Sequence, residues 1–219
     1  MIGMLLAAAR NFFIGAYHDL PNVLFMGSLI LGGIVAYLPL VWVALGLVLN
    51  ASVVGLLQTL LSLLTPQWSQ VSLPAGMIAC EILPRTRPIG TNDYLTAAPS
   101  HWLSAAIFFA TFSIYNAVQV AIREPANNTE PSKADARRAV SLSAFVVGIL
   151  FFILMLARGF SGCETWLGGI LGVVIGGGLA VGWWHILDTC RLGIIPDILQ
   201  LVGNSAPAPT GKQTAIVCR

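Results

Sequence analysis

Residues 22–64 read NVLFMGSLILGGIVAYLPLVWVALGLVLNASVVGLLQTLLSLL, 43 positions without one charged side chain. A single helix of that length would run roughly 65 Å, about twice a hydrocarbon core of roughly 30 Å. Two crossings fit better. The break falls near Pro39, where a missing N–H and a ring clash disfavour a continuous helix. The first crossing is then short. Apolar stretches of at least about 18 residues read as transmembrane helices, and this one places the chain in a bilayer.

Composition agrees. Of 219 residues 57% are hydrophobic, mean hydropathy is +0.83, and charged residues make up only 9%. A soluble domain carries about 25%, because its surface has to be hydrated. The net charge of +2 comes with no basic run, which argues against a nucleic-acid partner. Cys80, Cys163, Cys190 and Cys218 show no metal-site spacing, so no metal or other cofactor is expected and the thiols read as buried or lipid-facing. Met1 to Tyr17 is apolar but lacks a basic residue ahead of its hydrophobic stretch, and Arg10, Asn11 and His18 interrupt it. It reads as a helix lying in the interface, with an extra crossing as the alternative.

Farther along, Thr65 to Ser100 is punctuated by Pro66, Pro74, Pro84, Pro88 and Pro99, an ordered or re-entrant connection of unusual length. A third span covers His101 to Ile122, and a polar loop runs from Arg123 to Arg138. A fourth span covers Ala139 to Ala157, Arg158 to Glu164 form a hinge, and a fifth span covers Trp166 to Leu187. The expected fold is an all-α, polytopic transmembrane helical bundle of about five spans, or six, plus the interfacial N-terminal helix. Residues 1–202 would form one membrane-embedded domain and 203–219 a disordered tail. The spans contain no internal charge and no clear inverted repeat, so a transport path has little support.

Lys and Arg in short loops set orientation. The side bearing the 123–138 loop and the C-terminal tail holds Arg123, Lys133, Arg137, Arg138, Arg191, Lys212 and Arg219, seven of the eleven basic residues, and is assigned to the cytoplasm. The other side receives the N-terminus, the 65–100 connection and the 158–164 hinge. A disulfide is then permitted between Cys80 and Cys163 but not between either of them and Cys190 or Cys218. The partners expected are the lipid bilayer and a protein docking through the 65–100 connection or the 123–138 loop. The last span carries Gly168, Gly172, Gly176, Gly178 and Gly182, small residues that let helices approach closely in lipid, either inside the bundle or at a homo-oligomer seam.

Polar groups beside a membrane are expensive and mark candidate sites. On the non-cytoplasmic side stand Glu81, Arg85, Arg87, Asp93, Ser100, His101, Arg158 and Glu164. Two arginines, a hydroxyl and a histidine (Arg87, Arg158, Ser100 and His101) suit an anion such as phosphate. Structural ion pairs, Arg158 and Glu164 with each other or with Asp93 and Arg87, are the alternative. His185 and Asp188, at the far end of the last span, read as an ordinary interfacial contact.

In these residues the chain resembles the type 2 phosphatidic acid phosphatase superfamily of membrane enzymes. That family carries Lys-x6-Arg-Pro, then Pro-Ser-Gly-His opening a span, then Ser-Arg-x5-His-x3-Asp before a glycine-rich span. Arg87-Pro88 looks like the end of the first motif. Pro99-Ser100-His101 looks like the second without its glycine. ARGFSGCETWLGGILGVVIGGG, with Arg158 in the arginine position, looks like the third. The resemblance covers roughly Cys80 to Gly182 and implies a phosphate-cradling bundle with His101 as a proton donor. Three positions depart from it. Cys80 replaces the lysine, Glu164 replaces the nucleophilic histidine, and Gly168 replaces the aspartate that orients that histidine. A carboxylate repels incoming phosphate and no attacking group is left in its place. A degenerate bundle without catalysis is therefore expected, with an active lipid phosphatase as the alternative. The Gly162-Cys163-Glu164-Thr165 hinge before a glycine-rich helix is also similar to multi-pass membrane proteins of large DNA viruses, which would imply a virion membrane.

The topology can be tested at Asn127-Asn128-Thr129, a glycosylation sequon on the side assigned to the cytoplasm. Translation into microsomes is expected to leave it bare, and an endoglycosidase-sensitive mass increase there would invert the assignment.

Overall fold

A computed structural model of the chain describes residues 8–9, 12–13, 15–17, 19–34, 38–64, 70–73, 94–122, 131–160 and 165–189. Five helices carry the fold: α1 (Leu20–Ile34), α2 (Leu38–Leu64), α3 (His101–Ile122), α4 (Pro131–Phe160) and α5 (Trp166–Thr189). Four contain segments apolar and long enough to cross a bilayer: Leu38–Leu64, His101–Ile122, Arg138–Ala157 and Trp166–Thr189. At 15 residues α1 spans only about 22 Å. It occupies the place of the short first crossing expected from the sequence but is shorter than the four candidate spans, and Pro39 sits in the first turn of α2, where a missing N–H costs least. Tyr17 and its described neighbours upstream are also helical, and the i→i−4 bonds from Asp19 N to Gly15 O and from Val23 N to Asp19 O lead into α1.

Two boundaries differ from the sequence reading. Helix α4 starts at Pro131, inside the expected polar loop, and runs on to Phe160, past the expected start of the hinge at Arg158. Proline suits a first helical position, and SKADARRA after it is rich in helix formers, so polarity ends the membrane segment without ending the helix. The long connection also contributes a small antiparallel ribbon, β1 (Gln70–Leu73) with β2 (Tyr94–Ala97), in the register Gln70↔Ala97 to Leu73↔Tyr94. The membrane-embedded body itself is all α-helical. The remainder of that connection, the 123–130 loop and the tail from 190 lie outside the described residues.

Side-chain contacts give the helix directions. On α2, Gln58 reaches Pro99, Asn50 meets Ser104, and Gly46 lies under Phe108, so α2 descends as α3 ascends. Gly148 of α4 lies against Ile114 and Phe151 against Phe109, so α4 is also antiparallel to α3. Helix α5 is parallel to α3: Gly172 adjoins Ser100 and Ser104, Gly176 adjoins Ser104 and Phe108, and Trp184 reaches Asn116. Gly32 packs on Val41 across the break, turning α1 and α2 into an antiparallel hairpin. One end of the bundle therefore gathers the starts of α1, α3 and α5 with the ends of α2 and α4. That is the sorting of segments anticipated from the alternation of spans.

Helix α3 touches each of the other four helices and is buried on most of its faces, Trp102 through Phe108 in an unbroken run. A helix apolar all round belongs in the interior. Around it lie two clusters. One joins Val43 and Leu47 to Phe108, Phe112, Ala180 and Trp184, and the other joins Trp102, Leu103 and Ile107 to Met155. The outer faces are apolar too, as with Leu142, Val147 and Leu150 of α4, because lipid is the solvent there.

Five of the seven glycines of the last span, those picked out by the sequence reading, divide between two faces. Gly168, Gly172 and Gly176 are buried against α3. A Cβ on Gly172 would stand 3.1 Å from the Ser100 carbonyl oxygen, and one on Gly176 would overlap the Ser104 carbonyl oxygen. Gly178 and Gly182 are exposed with open space beyond them. Gly176→Ala is accordingly expected to destabilise the bundle by about 1–3 kcal/mol through forced separation of two backbones. Gly178→Ala and Gly182→Ala should change stability by no more than about 0.5 kcal/mol. Denaturant unfolding in micelles, followed by circular dichroism, measures the difference; equal effects at the three sites would refute the seam.

Candidate functional site

The turn preceding α3 is held from three directions. Gln58 Nε2 donates to the Pro99 carbonyl (2.7 Å), and the Ser100 backbone N–H donates to the Gly168 carbonyl (3.0 Å). The Leu103 N–H donates to Ser100 Oγ (3.2 Å), which makes Ser100 the N-cap of α3. Thr165 does the same for α5, its Oγ1 accepting from the Gly168 N–H at 3.0 Å. Two capped helix starts thus lie side by side, joined through Gly168. The stretches resembling the second and third phosphatase motifs meet there, at Ser100 and Gly168.

Their side chains are used differently from one another. Ser100 is 3% exposed and its hydroxyl oxygen serves the cap. His101, the next residue, is exposed and lines a cleft formed with α1 and α2. Arg158 lies in the last turns of α4, and its side chain is outside the described set. Cys80, Arg87, Asp93, Cys163 and Glu164 are outside the described residues, and with them the proposed anion pair of arginines and the permitted Cys80–Cys163 bridge.

The cleft has a volume of about 400 Å³, within the size range of small-molecule sites. Its polar members are Asn22 from α1, Ser52 from α2 and His101 from α3, and its apolar members include Phe25, Leu47, Val48 and Ala105. Asn22 Nδ2 donates to Asp19 Oδ1 (2.6 Å), and Ser52 Oγ donates to the Val48 carbonyl (2.9 Å). The serine hydroxyl hydrogen is therefore engaged, and its oxygen keeps acceptor capacity. Between α3, α4 and α5 lies a smaller and almost wholly apolar hollow, lined by Leu103, Leu156, Trp166 and Ile170 among others.

The sequence reading passed over Asn50. It lies mid-helix in α2, 0% exposed, and accepts a hydrogen bond from Ser104 Oγ at 2.9 Å. Its Nδ2 is buried with no partner among the described residues. Its amide, one of three in the uncharged 22–64 run beside Asn22 and Gln58, was the available signal, since intramembrane polar groups are costly and usually face the bundle interior. At the opposite end of the bundle, Tyr115 Oη lies 3.0 Å from His185 Nε2, Trp184 Nε1 donates to Asn116 Oδ1 (3.3 Å), and Trp183 Nε1 donates to the Trp42 carbonyl (2.9 Å). The His185 ring thus meets a tyrosine of α3, while its carbonyl accepts from Thr189 Oγ1 at 2.8 Å.

No family model, no curated protein and no solved structure matches this chain.

Proposed function

We propose that this chain is a non-catalytic multi-pass membrane protein with a degenerate, phosphatase-like bundle, serving a structural or partner-docking role in a membrane assembly, cellular or viral. The observation that carries the reading is the use made of Ser100. A hydroxyl that cradles substrate phosphate has to be open to it, whereas Ser100 is buried, caps α3 and is tied through its backbone to α5. Gly168, at the position where the family resemblance would need an aspartate, is likewise a packing residue, buried in the seam with its carbonyl engaged. Glu164 at the nucleophile's position supports the same conclusion. In this reading the His101 end faces away from the cytoplasm, and the 65–100 connection or the basic 123–138 loop meets the partner.

A lipid phosphatase acting on a phosphate monoester at the non-cytoplasmic face is the second reading. What favours it is the meeting of Ser100 and Gly168 at one end of the bundle, with His101 exposed beside them. Purified protein incubated with phosphatidic acid, and separately with a water-soluble phosphate ester, tells the two apart. No phosphate release above a protein-free blank is expected. Release that disappears in His101→Ala would overturn the non-catalytic reading.

A further inference from the structure

Helices α4 and α5 both pack on α3 and, among the described residues, scarcely on each other. Between them lies the apolar hollow, about 180 Å³, floored by Leu103 of α3 and walled by Leu156 of α4 and the first turns of α5. The Thr165 hydroxyl at its end is taken up as the cap of α5. Trp166, Ile170 and Val174 along it are exposed, whereas Leu103 is 1% exposed. The hollow thus leads from the apolar outer surface of α5 down to a buried side chain of α3.

Gly169 is what leaves it open. A Cβ on Gly172 or Gly176 would press on an α3 carbonyl, but one on Gly169 would meet only Leu103 Cδ2, at an ordinary 3.8 Å. Helix packing therefore does not require glycine at 169. Gly169 lines the hollow, so a larger side chain there would fill it.

The dimensions choose the occupant. Trp166 to Val174 covers roughly 12 Å of α5, so over that length the hollow averages about 4 Å across. A helix from a second copy, at about 10 Å, is far too wide. A single hydrocarbon chain fits. Apolar hollows of this size stay dry and take apolar guests. Left empty, this one would forfeit the dispersion contacts of its lining. The medium outside these faces is lipid tail, so the guest is at hand.

We propose that one acyl chain of a bilayer phospholipid inserts between α4 and α5 and lies on Leu103 beside Gly169. This requires only that the protein be embedded in a membrane. It holds whether or not phosphate release is ever detected.

The test is photolabelling of the full-length protein in phosphatidylcholine liposomes. These are doped with a phosphatidylcholine bearing a diazirine on one acyl chain, near the headgroup in one preparation and at mid-chain in another. Tandem mass spectrometry locates the adducts after irradiation. Leu103 should be labelled in at least one preparation, while Phe108, equally buried on α3 but away from the hollow, stays bare. Gly169→Leu should abolish the Leu103 adduct and leave labelling of Val147, exposed on α4, unchanged. An unlabelled Leu103 beside a labelled Val147 would mean annular lipid only and overturn the proposal. A Leu103 adduct that persists in Gly169→Leu, or equal labelling of Leu103 and Phe108, would overturn it too. If Gly169→Leu loses helical circular dichroism, the contrast between Leu103 and Phe108 in the unaltered protein decides the outcome alone.

Discussion

Backbone meets backbone where α5 crosses the start of α3, and most of the bundle is arranged around that contact. Lipid tails are as apolar as leucine, so helices in a bilayer gain little by hiding apolar surface from one another. What remains is close packing and a few hydrogen bonds. Gly172 and Gly176 supply the first by letting the α3 carbonyls at Ser100 and Ser104 approach without an intervening Cβ. The Ser100 N–H bonded to the Gly168 carbonyl supplies the second. The same turn of α3 binds α2 through Gln58 and through Asn50 with Ser104, so three helices are located by one short segment. Gly46 repeats the device on α2, where an added Cβ would fall 2.6 Å from Phe108 and 2.7 Å from Trp183.

This arrangement explains why the candidate site is split. Residues 100 and 101 are neighbours in sequence but point to different compartments of the bundle. Ser100 is committed to the seam with α5, and His101 is left at the mouth of the α1–α2–α3 cleft.

Much of the fold was legible because membrane physics writes it in long, coarse letters. A run of 43 uncharged residues with Pro39 near its middle can be little other than a broken pair of helices, and His101–Ile122 is bounded by proline-serine on one side and charge on the other. The start of α4 was hidden because hydropathy reports where lipid ends, not where a helix ends, and Pro131 opens a helix outside the apolar window. The division of the α5 glycines was hidden because a four-residue spacing specifies a face only once the neighbour's position is known. Gly176 and Gly178 are two residues apart yet meet a carbonyl oxygen and open space, respectively. The Asn50–Ser104 pair and the cleft both join positions far apart in the chain, and no local pattern encodes such pairings.

The parallel seam between α3 and α5 is the claim on which the rest depends, and cross-linking in membranes addresses it most directly. A Cβ at position 177 would lie 3.8 Å from Thr111 Oγ1, whereas one at position 182 would meet nothing within 4 Å. In a background with the four native cysteines replaced, the pair Thr111→Cys with Gly177→Cys should lose its free thiols on mild oxidation, and Thr111→Cys with Gly182→Cys should keep them. Cross-linking of the second pair in preference to the first would place a different face of α5 against α3 and contradict the seam.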